Sequence, residues 1–362
     1  MHTNMLRAAG SSAAAVARRT ANPRVVAIGG GTGLPNVLRG LRPVLFAEGC
    51  DTSVERLIAV VATTDDGGSS GRLRAEFNVI PPGDIRNCLA ALSDNDAQIA
   101  DIFQYRFGAG GGLSGHALGN LVLTALADVT SDFGRAVEIA SRLIGARGVV
   151  LPATSEVVTL LAEFADGRVT SGETAIAAAR GRIMGLSLLP PSPACSPAVV
   201  DAIARADVIV AGPGSLFTSI LPPLLVPDIA AAVAASRGLR VLVANLMTEP
   251  GETDHFTVLD HLLAIERQLG RQLFDCVIYN TMPVPAALAA SYAARESAPI
   301  VTGTFELTAL ERLGVQAIGV PLVSEQPADR IRHHPERLAS AIYALARRKL
   351  SAWRHRSDMG EL

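Results

Sequence analysis

A doubly wound α/β fold with a mostly parallel sheet is predicted by three features of this 362-residue chain. Arg24 to Ile28 and Leu57 to Ala62 are short apolar runs, the kind that parallel strands show when helices cover both faces. Strand-length and helix-length segments alternate along most of the chain, the pattern of βαβ units. Several strands end in glycine-rich turns, and ligands of open parallel sheets bind beyond the carboxyl ends of the strands.

After the first strand a helix is expected from Leu34 to Leu41, with Pro35 tolerated in its first turn. The second strand precedes helices over Asp84 to Leu92, Ala97 to Phe107, His116 to Val129 and Phe133 to Ile144. Glu156 to Phe164, the turn Asp166-Gly167 and Arg168 to Thr170 read as a β-hairpin. Arg182 to Leu188 adds a strand, and Pro190, Pro191 and Pro193 close the region. Residues 147–193 are therefore expected to form a mixed β insertion around a central β-hairpin. Alternation resumes with strands over Asp207 to Ala211, Arg240 to Asn245 and Phe274 to Tyr279, followed by short strands at Pro299 to Val301 and Val315 to Val320. The helices between and after them span Ile229 to Ser236, Thr253 to Leu269, Val284 to Ala294 and Pro335 to Arg347. Residues 23–350 thus read as a single α/β domain, with 351–362 as a C-terminal tail. Residues 1–22 are rich in Ala, Ser and Arg and contain no acid, which superficially suits a transit peptide; they read as a disordered extension.

Composition narrows the function classes. The net charge of −2 gives no general pull toward nucleic acid or anionic lipid. The most apolar region, Ile220 to Ala235, is interrupted by Pro222, Pro223, Pro227 and Asp228, and no run reaches the ~18 apolar residues of a membrane span. Cys50, Cys88, Cys195 and Cys276 lie far apart with no CxxC pair, as expected of reduced thiols in the cytoplasm.

Six loops carry the candidate chemistry. The first, I-G-G-G-T-G-L at Ile28 to Leu34, joins strand one to a helix. Gly30, Gly31 and Gly33 let backbone N–H groups approach a phosphate, the helix N-terminus adds partial positive charge, and Thr32 adds a hydroxyl. A tight turn alone needs fewer glycines. The dinucleotide pattern GxGxxG fails, because Leu34 stands where its third glycine belongs. The second, T-T-D-D-G-G-S-S-G-R-L-R at Thr63 to Arg74, follows strand two. Asp65 and Asp66 suit Mg²⁺ or ribose hydroxyls. Gly67, Gly68, Ser69, Ser70 and Gly71 suit an anion nest, with Arg72 and Arg74 as counter-charges. The alternative is a solvated turn whose aspartate caps a helix.

In the third loop, P-P-G-D-I-R-N at Pro81 to Asn87, Asp84 is a natural helix N-cap, with Arg86 and Asn87 just inside. In the fourth, S-G-H-A-L-G-N at Ser114 to Asn120, His116 opens a helix, where its protonated form is disfavoured. A lone histidine is more often structural than catalytic; Asn120, one turn later, shares its face. The fifth loop, A-G-P-G-S-L-F-T-S at Ala211 to Ser219, repeats the logic of the first with Gly212, Gly214 and Ser215. The sixth, Ala244 to Asp254, brings Asn245 and Thr248 to the ligand end, while Thr253 or Asp254 caps the next helix. Two phosphate-type loops in one sheet suit a diphosphate, and Thr32, Ser69 and Ser215 are expected to surround one anionic group.

In their order, TTDDGGSSGRLR, PPGDIRNCL, GHALGN, AGPGSLFTSILP and NLMTEPGETD resemble the gluconeogenesis-factor (YvcK-like) family, which is related to the 2-phospho-L-lactate (CofD-like) transferases. The resemblance covers roughly Arg24 to Leu350. It implies a Rossmann-like fold, a UDP-sugar ligand such as UDP-N-acetylglucosamine, and a bacterial cytoplasmic regulator linking carbon metabolism to cell-wall synthesis and cell shape. By analogy Gly30 to Gly33 and Gly212 to Ser215 take the diphosphate, while Tyr292 and Arg332 contact the base or sugar. The rival reading is a Mg²⁺-dependent transferase of a phosphate-bearing group. In it Asp65 and Asp66 hold the metal, Arg72 stabilises developing charge and His116 accepts a proton. A nucleotide diphosphate and a second copy of the chain, as a homodimer, are the expected partners.

Overall fold

The computed structural model describes residues 23–47, 53–94, 97–325 and 330–359. The extension at 1–22 and Cys50 lie outside them. Strand β1 (Val25–Gly29) leads through helix α1 (Gly33–Leu45) to β2 (Leu57–Val61). Helices α2 (Gly68–Phe77), α3 (Gly83–Leu92), α4 (Ala97–Gln104), α5 (Leu118–Thr130) and α6 (Phe133–Leu143) then precede β3 (Val149–Pro152). A small unit follows, of β4 (Thr159–Phe164), β5 (Val169–Ser171), α7 (Glu173–Ala179) and β6 (Ile183–Leu189). Helix α8 (Pro197–Ala204) leads to β7 (Val208–Ala211), then α9 (Leu216–Leu224) and α10 (Pro227–Ala235). The remaining elements are β8 (Leu239–Val243), α11 (Val258–Leu269), β9 (Cys276–Asn280), α12 (Ala286–Ala293), α13 (Thr304–Arg312), β10 (Gln316–Val320) and α14 (Pro335–Met359).

The main sheet has the order β3-β2-β1-β7-β8-β9-β10, and every neighbouring pair is parallel. Counted along this sheet alone, the order is 3-2-1-4-5-6-7, the Rossmann arrangement extended by one strand. Alternate residues of β1 serve opposite cores. Val25 and Ala27 pack with Leu34, Leu38, Leu89 and Ile342, whereas Val26 and Ile28 pack with Leu160, Phe164, Ile220 and Leu262. Both faces are covered, so the doubly wound expectation holds. Among the described residues no single helix is long and apolar enough to cross a membrane.

The structure adds helices α7, α9 and α13, which the sequence reading did not place, and differs from it in further details. Residues 149–152 belong to the main sheet as edge strand β3, so the insertion is narrower than 147–193; it is a separate antiparallel sheet of order β5-β4-β6. V-V-L-P is too short and too soon ended by proline to stand out as a strand. Pro299 to Val301 makes only an isolated bridge from Pro299 to Met247, since proline has no N–H for a ladder. Gly68 to Arg74 is helical rather than an anion nest: a Cβ on Gly71 would lie 1.9 Å from the Asp66 carbonyl oxygen, so this glycine serves close packing of α2 on its own turn. Helix α14 continues past Arg347 to Met359, through a stretch with no glycine or proline to stop it.

Helix α1 crosses the start of α14 at Gly40, where an added Cβ would lie 2.1 Å from the Pro335 carbonyl oxygen. Gly40→Ala is expected to lower unfolding free energy by about 1–3 kcal/mol through overpacking, despite the ~1 kcal/mol gain in helix propensity. Urea titration checks this; an unmoved midpoint would mean that the two helices separate freely.

Candidate functional site

The chain turns from β1 toward β2 on one side of the sheet and from β7 toward β8 on the other, so a crevice opens between the carboxyl ends of β1 and β7. The turn after β1 is drawn inward because the Gly31 N–H donates to Asp84 Oδ2 at 2.6 Å. Gly31 itself has φ +61°, where a side chain is strained. In the turn after β7, the Gly212 N–H donates to the Ile28 carbonyl at 3.0 Å and the Gly214 N–H to Asn245 Oδ1 at 3.2 Å. The two turns touch. A Cβ on Gly33 would lie 1.9 Å from the Pro213 carbonyl oxygen, so only glycine allows this approach.

Between them lies a cavity of about 510 Å³. Gly31, Thr32 and Gly33 line it from the first turn, Gly214, Ser215 and Ser219 from the second, and Asn245, Thr248 and Glu249 from the segment after β8. Tyr292, Arg295 and Arg332 close the far wall, with Asn36 and Arg39 from α1. Gly30 and Gly212 shape the turns without lining the cavity. Burial lowers the pKa of Arg39, and the neighbouring Arg332 lowers it further, so like charges are held together where an anion would relieve them.

The carboxylates are arranged to match. Ser215 Oγ donates to Glu252 Oε2 at 2.9 Å. Burial, then the charge of Glu252, pushes the Glu249 carboxyl up to about 7, so the pair shares a proton near neutrality. Glu249 Oε2 is buried without a hydrogen-bond partner, an acceptor suited to a ligand hydroxyl. The wall at residues 331–333 is tied to the sheet and to α1. His333 Nε2 donates to the Ala244 carbonyl at 3.0 Å, and Asn36 Nδ2 donates to the His333 carbonyl at 2.6 Å. The Tyr292 hydroxyl accepts from the Ile331 N–H at 3.3 Å.

The other predicted residues form a second cluster beside the cavity. Thr32 and Ser215 share the cavity, but Ser69 does not reach it, nor do Asp65, Asp66, Gly67, Gly68, Ser70, Arg72, Asn87, His116 or Asn120. Asp65 accepts from the Gly67 N–H at 2.9 Å. Asp66 instead accepts from the Thr174 N–H at 2.9 Å and hydroxyl at 2.7 Å, holding the first turn of α7. The two aspartates therefore serve different partners. Among the described residues no group of three or more His, Cys, Asp or Glu is arranged to hold a metal ion. Ser70 packs against Gly83, and Asn87 accepts from Arg86 Nη2 at 2.8 Å and Gln104 Nε2 at 3.3 Å.

A buried chain of hydrogen bonds runs through this cluster: Arg86 Nη1 donates to Asn120 Oδ1 at 2.9 Å, and Asn120 Nδ2 to Ser69 Oγ at 2.9 Å. Ser69 Oγ is also 3.0 Å from His116 Nδ1. Arg86 only donates, so it fixes the Asn120 amide, whose Nδ2 in turn donates to Ser69 Oγ. Asp84 joins the two clusters. Burial raises its carboxyl to about 6, opposed by the Gly31 N–H and assisted by the charge of Asp65.

Sequence reading missed Asn36, Arg39, Glu249 and Arg295, and reduced Asp84 to a cap. Asn36 and Arg39 follow Thr32 by four and seven residues, the spacing of one helix face, and Arg295 follows Tyr292 by three. That signal was available. The partnering of Asp66 with a residue 108 positions away was not.

Burial holds His333 neutral, with its pKa lowered to about 4. Its stabilising contribution is complete above the unfolded value near 6.5 and is lost as pH falls toward 4. His333→Gln keeps a donor for the Ala244 carbonyl but cannot titrate. Between pH 7 and 4.5 the wild type is therefore expected to lose about 2–3 kcal/mol more unfolding free energy than this variant. Chemical denaturation at both pH values measures the difference, and parallel losses would contradict it.

The family model described as 2-phospho-L-lactate transferase CofD matches residues 25–323. A relative from Nostoc sp. is 46% identical over 321 residues, covering 88% of this chain and 68% of its own length. The gluconeogenesis factor of Bacillus subtilis is 42% identical over 325 residues, covering 89% of this chain and 98% of that protein. The crystal structure of a UPF0052 family protein from Bacillus halodurans superposes with a TM-score of 0.82 at 40% identity, covering 89% of this chain and 99% of the other. With its parallel sheet, its paired glycine turns and these matches over most of its length, the chain belongs to the CofD family and, within it, to the gluconeogenesis factors.

Proposed function

We propose that the cavity binds a nucleotide sugar, UDP-N-acetylglucosamine or a close relative. In this reading the chain is a cytoplasmic, homodimeric regulator that couples the level of that sugar to carbon metabolism, cell-wall synthesis and cell shape. The observation that carries the reading is the contact of Gly33 with the Pro213 carbonyl, which brings two anion-type turns to one cavity at the reversal of the sheet. A diphosphate there meets backbone amides at the start of α1 and before α9, helix-end partial charge, and the guanidinium groups of Arg39, Arg295 and Arg332. Asn245, Thr248 and Glu249 offer groups for sugar hydroxyls, and Tyr292 offers an aromatic face for base or sugar. The name borne by the Bacillus subtilis relative supports the link to carbon metabolism.

The description of the family model supports a second reading, transfer of a phosphate-bearing group. In that reading Asp66 would serve a metal while its Oδ1 also accepts from Thr174.

Isothermal titration calorimetry with UDP-N-acetylglucosamine is expected to give saturable binding. At 100 times its dissociation constant the ligand stabilises the chain by about 2.7 kcal/mol. Arg332→Ala is expected to weaken binding at least about tenfold, equivalent to about 1.4 kcal/mol. Absence of heat and of thermal shift with every UDP-sugar tried would refute the proposal.

A further inference from the structure

Outside the cavity, two exposed arginines meet on one loop. Arg72 Nη2, from α2, donates to the Ser114 carbonyl at 2.6 Å, and Arg106 Nη1 donates to the Gly115 carbonyl at 2.7 Å. Consecutive carbonyls thus draw both guanidinium groups to the residues just before His116. The loop is fixed from the other side, because the Phe107 N–H donates to the His116 carbonyl and the Gly115 N–H to the Phe107 carbonyl, each at 2.9 Å. Gly115, at φ +75°, lets Arg72 come close: an added Cβ would lie 3.3 Å from its Nη2.

Among the described residues neither Arg72 nor Arg106 forms an ion pair with a carboxylate. Arg106 adds to the lowering of the Arg86 pKa, which burial begins, so a third guanidinium lies within electrostatic reach. The carbonyls use one N–H of each exposed arginine, and a guanidinium has five. The remaining donors form flat forks, the geometry that suits two oxygens of a phosphate. Beside them stands His116, its Nδ1 3.0 Å from Ser69 Oγ. Arg72 and Glu76 from α2 and Arg106 from the segment after α4 are the charges that bear on this imidazole.

We propose that Arg72, Arg106 and His116 form a second anion site, separate from the nucleotide cavity, that takes a phosphate-bearing small molecule. Consecutive carbonyls anchor the two guanidinium groups, and a dianion bound there takes up their unspent donors. The site does not depend on the sugar nucleotide reading of the cavity. A buried chain of hydrogen bonds leads inward from His116 through Ser69 and Asn120 to Arg86.

Equilibrium dialysis of the full chain against radiolabelled inorganic phosphate at low ionic strength tests the site. The cavity is weakened in one background by Arg39→Ala with Arg332→Ala, and the new site is removed in another by Arg72→Ala with Arg106→Ala. The cavity variant is expected to keep a phosphate site. In the Arg72/Arg106 variant the affinity of that site falls at least tenfold, while calorimetric binding of UDP-N-acetylglucosamine stays as in wild type. Phosphate should also shift the His116 ring proton signals in wild type and leave them unmoved in the Arg72/Arg106 variant. Paired Arg→Lys replacements, which keep charge but lose the fork, serve if the alanine variant fails to fold, and are expected to bind more weakly than wild type. Unchanged phosphate affinity in the Arg72/Arg106 variants, or complete loss of phosphate binding in the cavity variant alone, would overturn the site. If UDP-sugars bind nowhere, the cavity reading fails, and the phosphate result still decides this one.

Discussion

The turns after β1 and β7 can meet at one cavity only because residue 33 has no side chain. A single methylene there would drive them apart, since the carbonyl of Pro213 already occupies its place. Everything else in the cavity is arranged around this contact. The order of the sheet puts the two strands side by side, their parallel pairing puts both turns at the same end, and α1 and α9 both start from that end. The glycines are therefore a steric requirement before they are a chemical one.

Charge is organised in layers around the turns. Arginines face the cavity from α1 and from the C-terminal third, a proton-sharing pair of glutamates lies behind Ser215, and a buried aspartate underpins the first turn. Asp84 is costly to bury, and its raised pKa records that cost, yet the Gly31 N–H it accepts shapes the turn. Residues on the far side of Asp84 do different work. Hydrogen bonds lock Ser69 and Asn120 into a fixed network, and the free cationic charge lies at the surface, on Arg72 and Arg106.

Much of this was legible in the residues themselves. Buried strands such as Val25–Gly29 and the glycine turns that follow them have local signatures, and topology rules place their ends together. Thr32, Ser215, Asn245, Thr248, Tyr292 and Arg332 accordingly meet in one cavity. The twelve residues from Thr63 to Arg74 misled, because small polar residues suit an anion nest and a helix start equally well, and the packing of Gly71 on Asp66 decided between them. Asp65 and Asp66 looked like a pair because they are adjacent in sequence. In an extended backbone adjacent side chains point apart, and each found its own partner.

The hold of Asp66 on Thr174 has a consequence for the small antiparallel unit. Helix α7 is seven residues long, too short to persist in water unaided, and Gly172 before it has no side chain to close its first turn. The missing cap is supplied from the large sheet's own loop. The insertion is thus not a detachable module: excised from its host, it would lose the anchor that starts its only helix, and any displacement of the Asp66 loop would be felt there first.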